Sequence, residues 1–230
     1  MRALIYDVHG NVLALQAVLE DAGAAGAGGF LLGGDYGLFG PWPEETVATL
    51  RELPDATWIR GNVDRWTARP DEAPDDELIR AAIDACRQAL AEQVVSELEA
   101  LPDQLVIEGT RYCHGSPISD MRSFMPSPAA DDAELLGGAA ERRVVFGHTH
   151  LQFSRGTASG IELVNPGSAG MPFDGDRRAA YALLGDDGLV ELRRVAYDHE
   201  ASAAAVEERY PGAAWAQRSA RRLRQAQMCD

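Results

Sequence analysis

Short apolar runs that end in a glycine or an acid recur along this chain, and longer stretches between them carry apolar residues at helical spacing. Residues 2–6 have the pattern of a buried strand, Asp7-Val8-His9-Gly10-Asn11 that of a loop, and Val12 to about Gly23 that of an amphipathic helix. Phe30-Leu31-Leu32 predicts a second strand inside a glycine-rich stretch, and Asp35 follows at its carboxyl end. The glycines and prolines of 36–43 predict a loop, and Glu44 to Leu53 a helix with acids in its first turn. Thr57-Trp58-Ile59 predicts a third strand, leaving through the glycine turn Arg60-Gly61-Asn62-Val63-Asp64.

The texture changes over residues 67–104, where Pro70, Pro74 and several acids give way to one long predicted helix bearing Ile79, Ile83, Leu90, Val94 and Leu98. This stretch is expected to be a helical insertion packed beside the site. Leu105-Val106-Ile107 and Arg111-Tyr112-Cys113 predict a hairpin that exits into His114, and Val144-Val145-Phe146 predicts a buried strand ending at Gly147-His148-Thr149-His150. Strands near 151–155 and 161–164, and a hairpin of 181–184 with 190–195, are antiparallel in pattern and predict a second sheet. Residues 198–227 are helical in tendency with a break at Pro211-Gly212, and Arg218, Arg221, Arg222 and Arg224 are expected to form a solvated face. The expectation is an α/β chain forming a single domain over residues 1–230, with an insertion at about 67–104 and a helical tail at about 199–230.

Composition narrows the function classes. With 46% hydrophobic and 25% charged residues the chain has the balance of a soluble protein, and no run approaches the roughly 18 to 20 apolar residues that span a bilayer. Asp7 follows too soon after Met1 for a signal peptide, so a cytoplasmic location is expected. Cys86, Cys113 and Cys229 are odd in number and scattered, which suggests neither a disulfide framework nor a thiolate zinc site. A net charge of −15 argues against stable nucleic-acid binding, so phosphate chemistry here needs a local cation. All 21 basic residues are arginines, which excludes a P-loop lysine, a Schiff base and a lysine general base.

The chemistry-bearing residues collect at strand exits: Asp7, His9, Asp35, Asn62, His114, His148 and His150. In an α/β protein the carboxyl ends of parallel strands meet at one edge, so these side chains can converge. Four of the five histidines are used in this way. A mixed imidazole and carboxylate set without thiolates suits manganese, iron or zinc better than calcium, and seven ligands are too many for one tetrahedral ion. Two metal ions sharing a carboxylate is the simplest reading.

The ordered blocks Asp7-x-His9, Gly34-Asp35, Gly61-Asn62-x-Asp64, His114-Gly115 and Gly147-His148-x-His150 resemble the calcineurin-like metallophosphoesterase superfamily. His9-Gly10-Asn11, Asn165-Pro166-Gly167-Ser168 and Tyr197-Asp198 also resemble its compact prokaryotic phosphodiesterase and phosphatase members, so the likeness runs over at least 1–198. The resemblance implies a four-layer α/β/β/α sandwich of two mixed sheets flanked by helices. It assigns Asp7, His9 and His150 to one metal, Asn62, His114 and His148 to the other, and Asp35 to both. It further implies a hydroxide between the metals as the nucleophile, with Asp64 and His114 as the catalytic candidates, Asp64 either orienting the ligand loop or moving protons. The implied cofactors are two divalent or transition ions, manganese or iron first, with zinc, nickel or magnesium as alternatives.

One departure matters. Where many relatives carry a proton-donating histidine after the asparagine, Val63 stands here. A leaving group that needs no protonation tolerates this loss, which favours a small phosphodiester or a dinucleoside polyphosphate over a protein phosphomonoester. The alternatives are a phosphomonoesterase or protein phosphatase, a nuclease, and a non-catalytic metal-binding scaffold; a small phosphorylated substrate, nucleotides included, is the expected partner, with no membrane. Tyr36, Phe39, Trp42 and Phe173 could stack a nucleobase or simply pack, and Arg60 and Arg177 could bind a phosphate or form ion pairs. Strand alternation should turn Cys113 away from His114 into the core.

Overall fold

In the computed structural model, which describes residues 1–229, strand β1 (Arg2–Ile5) is buried on both faces: Ala3, Leu4 and Ile5 are fully shielded. A strand with no solvent face needs neighbours on both edges and layers on both sides. Parallel pairing with β2 (Gly29–Leu32) closes one edge, and β2 pairs in parallel with β3 (Ala56–Trp58). Helices α1 (Val12–Ala24) and α2 (Pro43–Arg51) make the two crossovers. This arrangement sends the chain out of β1 at Asp7, out of β2 toward Asp35 and out of β3 toward Asn62, at one edge of the sheet.

The second sheet runs β4 (Gln104–Ile107), β5 (Thr110–Cys113), β6 (Arg143–Val145), β8 (Glu162–Asn165) and β7 (Phe153–Gly156). Its central strands β5, β6 and β8 are parallel, so His114, Gly147-His148 and Asn165 leave it at a common edge as well. The predicted hairpin of β4 and β5 is tight, with Glu108 and Gly109 both at positive φ (51° and 72°), as two-residue hairpin turns require.

Three apolar clusters mark three interfaces between layers. Leu4, Tyr6, Leu31, Tyr112, Val145 and Val164 fill the space between the sheets. The alternate residues Ala3, Ile5, Phe30 and Leu32 face the helices, and on the outer side of the second sheet Cys113, Val144, Phe146 and Leu163 pack under Phe124, Leu135 and Leu136. Period-two alternation is what sorts these residues. Cys113 lies in that outer cluster, away from His114. The cover there is thin, built from α6 (Asp132–Leu135) and its flanking loops.

Three expectations change. The hairpin of β9 (Ala179–Leu184) and β10 (Val190–Val195) does not extend the second sheet; β9 lies antiparallel against β1 in the first, giving the order β10-β9-β1-β2-β3. Residues 179–183 are buried on both faces, and the open edge of β1 is the place that shields them. The single helix expected within 67–104 is two, α4 (Glu77–Ala89) and α5 (Glu92–Glu99), preceded by α3 (Asn62–Ala68), where only a turn was expected. The break at Leu90 and Ala91 is extended backbone without proline or glycine, and it drops Leu90, 4% exposed, into the helix-side core. Finally, the arginines of the tail are not one solvated face. The tail forms α7 (His199–Arg209) and α8 (Ala214–Gln225), with Trp215, Ala216, Ala220 and Leu223 buried. Arg224 bridges Glu200 and Glu207 and Arg221 is exposed, whereas Arg218 and Arg222 are half-buried beside the strand exits. No described helix is long and apolar enough to cross a membrane.

Leu4 sits at 0% exposure between the sheets, and Leu4→Ala is expected to cost about 2–5 kcal/mol of stability. Urea unfolding at constant m-value measures it; a loss well below 1 kcal/mol would show that this interface does not carry the fold.

Candidate metal centre

The strand exits are sharp turns. Asp7, His9, Asp35, His148 and His150 all adopt positive φ, between 49° and 67°, a left-handed conformation that costs a non-glycine residue about 1–2 kcal/mol. Such strain persists only where the surroundings enforce it, and here it aims five side chains inward. Two glycines make the room. A Cβ on Gly61 would stand 2.1 Å from Asp35 Oδ1, and one on Gly147 would stand 2.5 Å from Asp7 Oδ2.

All seven side chains read as ligands from the sequence are brought together. His9 Nε2 lies 3.1 Å from His150 Nε2, and His150 Nε2 lies 3.5 Å from Asp7 Oδ1. On the other side the Asn62 carboxamide oxygen is 2.9 Å from both His114 Nε2 and His148 Nδ1. Asp35 Oδ2 stands between the halves, 3.7 Å from His9 Nε2 and 3.3 Å from His114 Nε2. Asp7 reaches across too, its Oδ1 3.8 Å from His114 Nε2. Every one of these residues is buried except His148, which is half-buried.

The protons of three imidazoles are placed by backbone carbonyls, which can only accept. Nδ1 of His9 donates to Leu38 O at 3.0 Å, Nδ1 of His150 to Met171 O at 2.6 Å, and Nδ1 of His114 to Gly33 O at 2.9 Å. Burial pushes the pKa values of His9 and His150 down, so both rings are neutral and their Nε2 lone pairs meet with no hydrogen between them. Facing lone pairs repel, and a cation between them turns the repulsion into ligation. The donor set, imidazole nitrogen with carboxylate and carboxamide oxygen, fits a divalent transition ion.

The charges point the same way. Burial opposes ionisation of Asp35, yet His114, His9 and His148 outweigh it and hold its carboxyl below the usual range. Burial pushes Asp7 up, with His114 offsetting part of the effect. Burial also opposes charge on His114, but Asp35 and Asp7 overcome it and raise its pKa to about 10, while burial and the neighbouring His114 bring His148 down to about 4. Without metal, a proton on His114 is the local countercharge.

A set of supporting bonds holds the turns in register. Both oxygens of Asp64 are engaged: Oδ2 accepts from the backbone N–H of Gly61 (2.8 Å) and Asp35 (2.9 Å), and Oδ1 from that of Tyr36 (3.1 Å). Asp64 thus ties the second strand exit to the start of α3. Burial, reinforced by Asp35, pushes its pKa up to about 6. An acid three residues beyond Gly61 is a helix-start signal that marks α3 in the sequence. Asn165 Nδ2 donates to Gly147 O and Thr149 Oγ1, fixing the turn of His148 and His150. Ser168 Oγ donates to Asp7 O, and Asn11 caps α1 while donating to Gly170 O.

A model of the calcineurin-like phosphoesterase superfamily domain matches residues 1–187. The chain belongs to that superfamily. It is a metal-dependent phosphoesterase. An uncharacterized protein of Methanocaldococcus jannaschii is 28% identical over 222 residues, covering 86% of this chain and 88% of its own. Among solved structures, a metallophosphoesterase from Sphaerobacter thermophilus is 27% identical with a TM-score of 0.81, covering 98% of each chain. A hypothetical protein from Pyrococcus horikoshii, 20% identical, shares the fold over 100% of both chains with a TM-score of 0.85.

Two cavities flank the phosphoesterase centre. One, of about 420 Å³, touches His114 and holds Arg60 and Arg65. Both are committed to carboxylates: Arg60 to Glu99 and Asp103, and Arg65 to Asp120 through Nε and Nη2 at 2.8 and 3.0 Å. The other, of about 230 Å³, opens onto His9, Asp35, Asn62, His148 and His150, with Val63, Trp66 and Ile79 on its apolar side. Phe39 and Phe173 line it, and Phe173 stacks on His150 at 4.3 Å. Tyr36 instead packs in the core against Trp58, Trp42 precedes α2 outside the cavity, and Arg177 is exposed outside both cavities. The residues missed from sequence are Arg218 and Arg222, whose four-residue spacing beside the buried Trp215, Ser219 and Leu223 would have placed them on one flank of the packed face.

Because His114 holds a proton up to about pH 10 in the absence of metal, loading the centre must displace it. Metal binding at pH 8 is expected to release at least about one proton, and affinity to rise about tenfold per pH unit below that pKa. Calorimetry in buffers of different ionisation enthalpy measures the release; none would contradict this role for His114. Asp64→Asn turns an N–H donor toward one of the backbone N–H groups now bound, and is expected to weaken metal binding about 10–100-fold with the fold retained. Equilibrium dialysis decides, and unchanged affinity would dismiss Asp64 as a positioning residue.

Proposed function

We propose that this phosphoesterase uses two metal ions, one held by Asp7, His9 and His150, the other by Asn62, His114 and His148, with Asp35 shared between them. The observation that carries the proposal is the meeting of the bare Nε2 atoms of His9 and His150 at 3.1 Å. The second half follows from the Asn62 oxygen facing His114 and His148. Two divalent cations held by these residues would supply Lewis acidity to the phosphoryl oxygens and would lower the pKa of an attacking water. Manganese or iron suits this donor set best.

The chain's own residues hold the geometry. Carbonyls of Leu38, Met171 and Gly33 keep three imidazoles in the ligating tautomer, and Asp64 positions the Asp35 and Asn62 loops without moving protons. Val63 faces the cavity beside the centre and offers no proton to a departing group. Substrates whose leaving group is already stable as an anion, a small phosphodiester or a phosphoanhydride such as a dinucleoside polyphosphate, are therefore preferred over alkyl monoesters. A non-catalytic scaffold would not need all seven donors in converging positions.

Purified protein loaded with manganese is expected to hydrolyse bis(p-nitrophenyl) phosphate and diadenosine tetraphosphate faster than glycerol 2-phosphate, an alkyl monoester whose leaving group needs a proton. Asn62→Ala and His148→Ala should each lose the same ion, lowering bound metal from about two to about one, and cut kcat/KM by at least about 100-fold. His150→Ala should lose the other ion. Metal counting that finds one ion in the wild type, or no turnover on any of the three substrates, would sink this function.

A further inference from the structure

Two phenylalanine rings stand beside the imidazoles of His9 and His150, and both line the cavity of about 230 Å³ that opens onto the metal centre. Phe173 stacks on His150 with ring centroids 4.3 Å apart, and its backbone N–H donates to the His150 carbonyl at 3.3 Å. Phe39 is tilted against His9 at 5.9 Å and holds φ at 79°, a left-handed backbone that a bulky side chain rarely adopts. The loop that carries it is fastened to the turn of His9. The Gly10 N–H donates to Tyr36 O at 2.8 Å, the Trp42 N–H donates to Gly10 O at 2.9 Å, and a Cβ on Gly40 would stand 1.9 Å from His9 O. This fastening keeps the Phe39 ring at the cavity against its backbone preference.

Val63 and Trp66 from α3 and Ile79 from α4 continue the apolar lining. Phe39, Ile79 and Phe173 are only half-buried, so the fold leaves part of each surface open to the cavity. The charged groups of the lining are engaged elsewhere. Asp35 Oδ2 stands among the imidazoles and its Oδ1 accepts from the Val63 N–H at 3.0 Å. Asp76 caps α4 and pairs with Arg218. Arg222 donates to the Cys229 carbonyl and lies over the Phe173 ring. Because Val63 directly follows Asn62 and Phe173 stacks on His150, the apolar surface begins at the converging side chains themselves.

We propose that Phe39, Val63, Trp66, Ile79 and Phe173 form a seat for an apolar ring that the substrate carries next to the phosphate that is cleaved. The proposal rests on the phosphohydrolase reading of the centre and selects among its substrates. A small aryl phosphodiester places its ring against these side chains, whereas a dinucleoside polyphosphate offers a further phosphate or a hydroxyl-bearing sugar at that place. Polar groups lose water against such a wall without gaining partners, and an aromatic ring gains both from its own desolvation and from contact with aromatic neighbours. At about 230 Å³ the cavity takes one ring system rather than a whole large ligand.

The test is calorimetry on manganese-loaded protein with phenylphosphonate and methylphosphonate, whose P–C bonds are not hydrolysed. The head group is the same in both, so its contribution cancels in the ratio of the two affinities. Wild type is expected to bind phenylphosphonate about tenfold tighter or more. Ile79→Asn and Phe39→Asn, the latter keeping a residue that tolerates the left-handed backbone, should each cut that ratio at least about threefold and leave methylphosphonate affinity within about twofold of wild type. In turnover, KM for bis(p-nitrophenyl) phosphate should rise in both variants while that for diadenosine tetraphosphate stays within about twofold. A wild-type ratio under about threefold, a ratio unchanged in both variants, or equal weakening of both phosphonates would each overturn the seat, as would a KM rise confined to diadenosine tetraphosphate. Should no substrate be turned over, the function fails while the phosphonate ratio still decides the seat; should neither phosphonate bind, the seat fails as well.

Discussion

The centre of this protein gathers groups that repel one another. Asp7 and Asp35 are buried within reach of each other's histidines, two imidazoles face with bare nitrogens, and a carboxamide oxygen points at two more. In a desolvated site such an assembly is unfavourable until a cation occupies it. The surrounding structure is arranged to hold it nonetheless. Five left-handed residues, glycines that leave space for carboxylates, and backbone carbonyls that claim each outward imidazole proton all act against relaxation of the cluster.

That holding requires two sheets. The first supplies Asp7, Asp35 and, through α3, Asn62; the second supplies His114, His148 and His150. The apolar layer of Leu4, Tyr6, Leu31, Tyr112, Val145 and Val164 that glues the sheets together therefore also sets the distance between the two groups of converging side chains. The hydrogen bond from Tyr6 OH to Val145 O, at 3.3 Å, crosses the same seam. Stability of the core and geometry of the site are therefore one problem rather than two.

The two flanks of the centre differ in what lines them. On the side of His114, Arg60 and Arg65 pair with acids; on the side of His150, Arg218 pairs with Asp76 and Arg222 sits over the Phe173 ring, beside Val63, Trp66 and Ile79. Helix α8 lies beyond residue 187, where the superfamily domain match ends.

The side chains that converge at the centre were legible in the sequence because chemistry and strand exits coincide: an acid or histidine directly after a short apolar run is a local signal, and five such blocks in order name the family. The period-two strands and most helices were legible for the same local reason. What the sequence could not decide were matters of burial between distant segments. The β9–β10 hairpin shows a strand pattern but no mark of which sheet it joins, and the open edge of β1 settled that. Leu90 carries no helix-breaking chemistry, and the core it fills broke the helix. Arg218 and Arg222 look like any charged helix surface until the fold sets α8 beside the turn of His148 and His150. Local spacing determines which side chains can be ligands; only the packing of remote elements decides what stands over them.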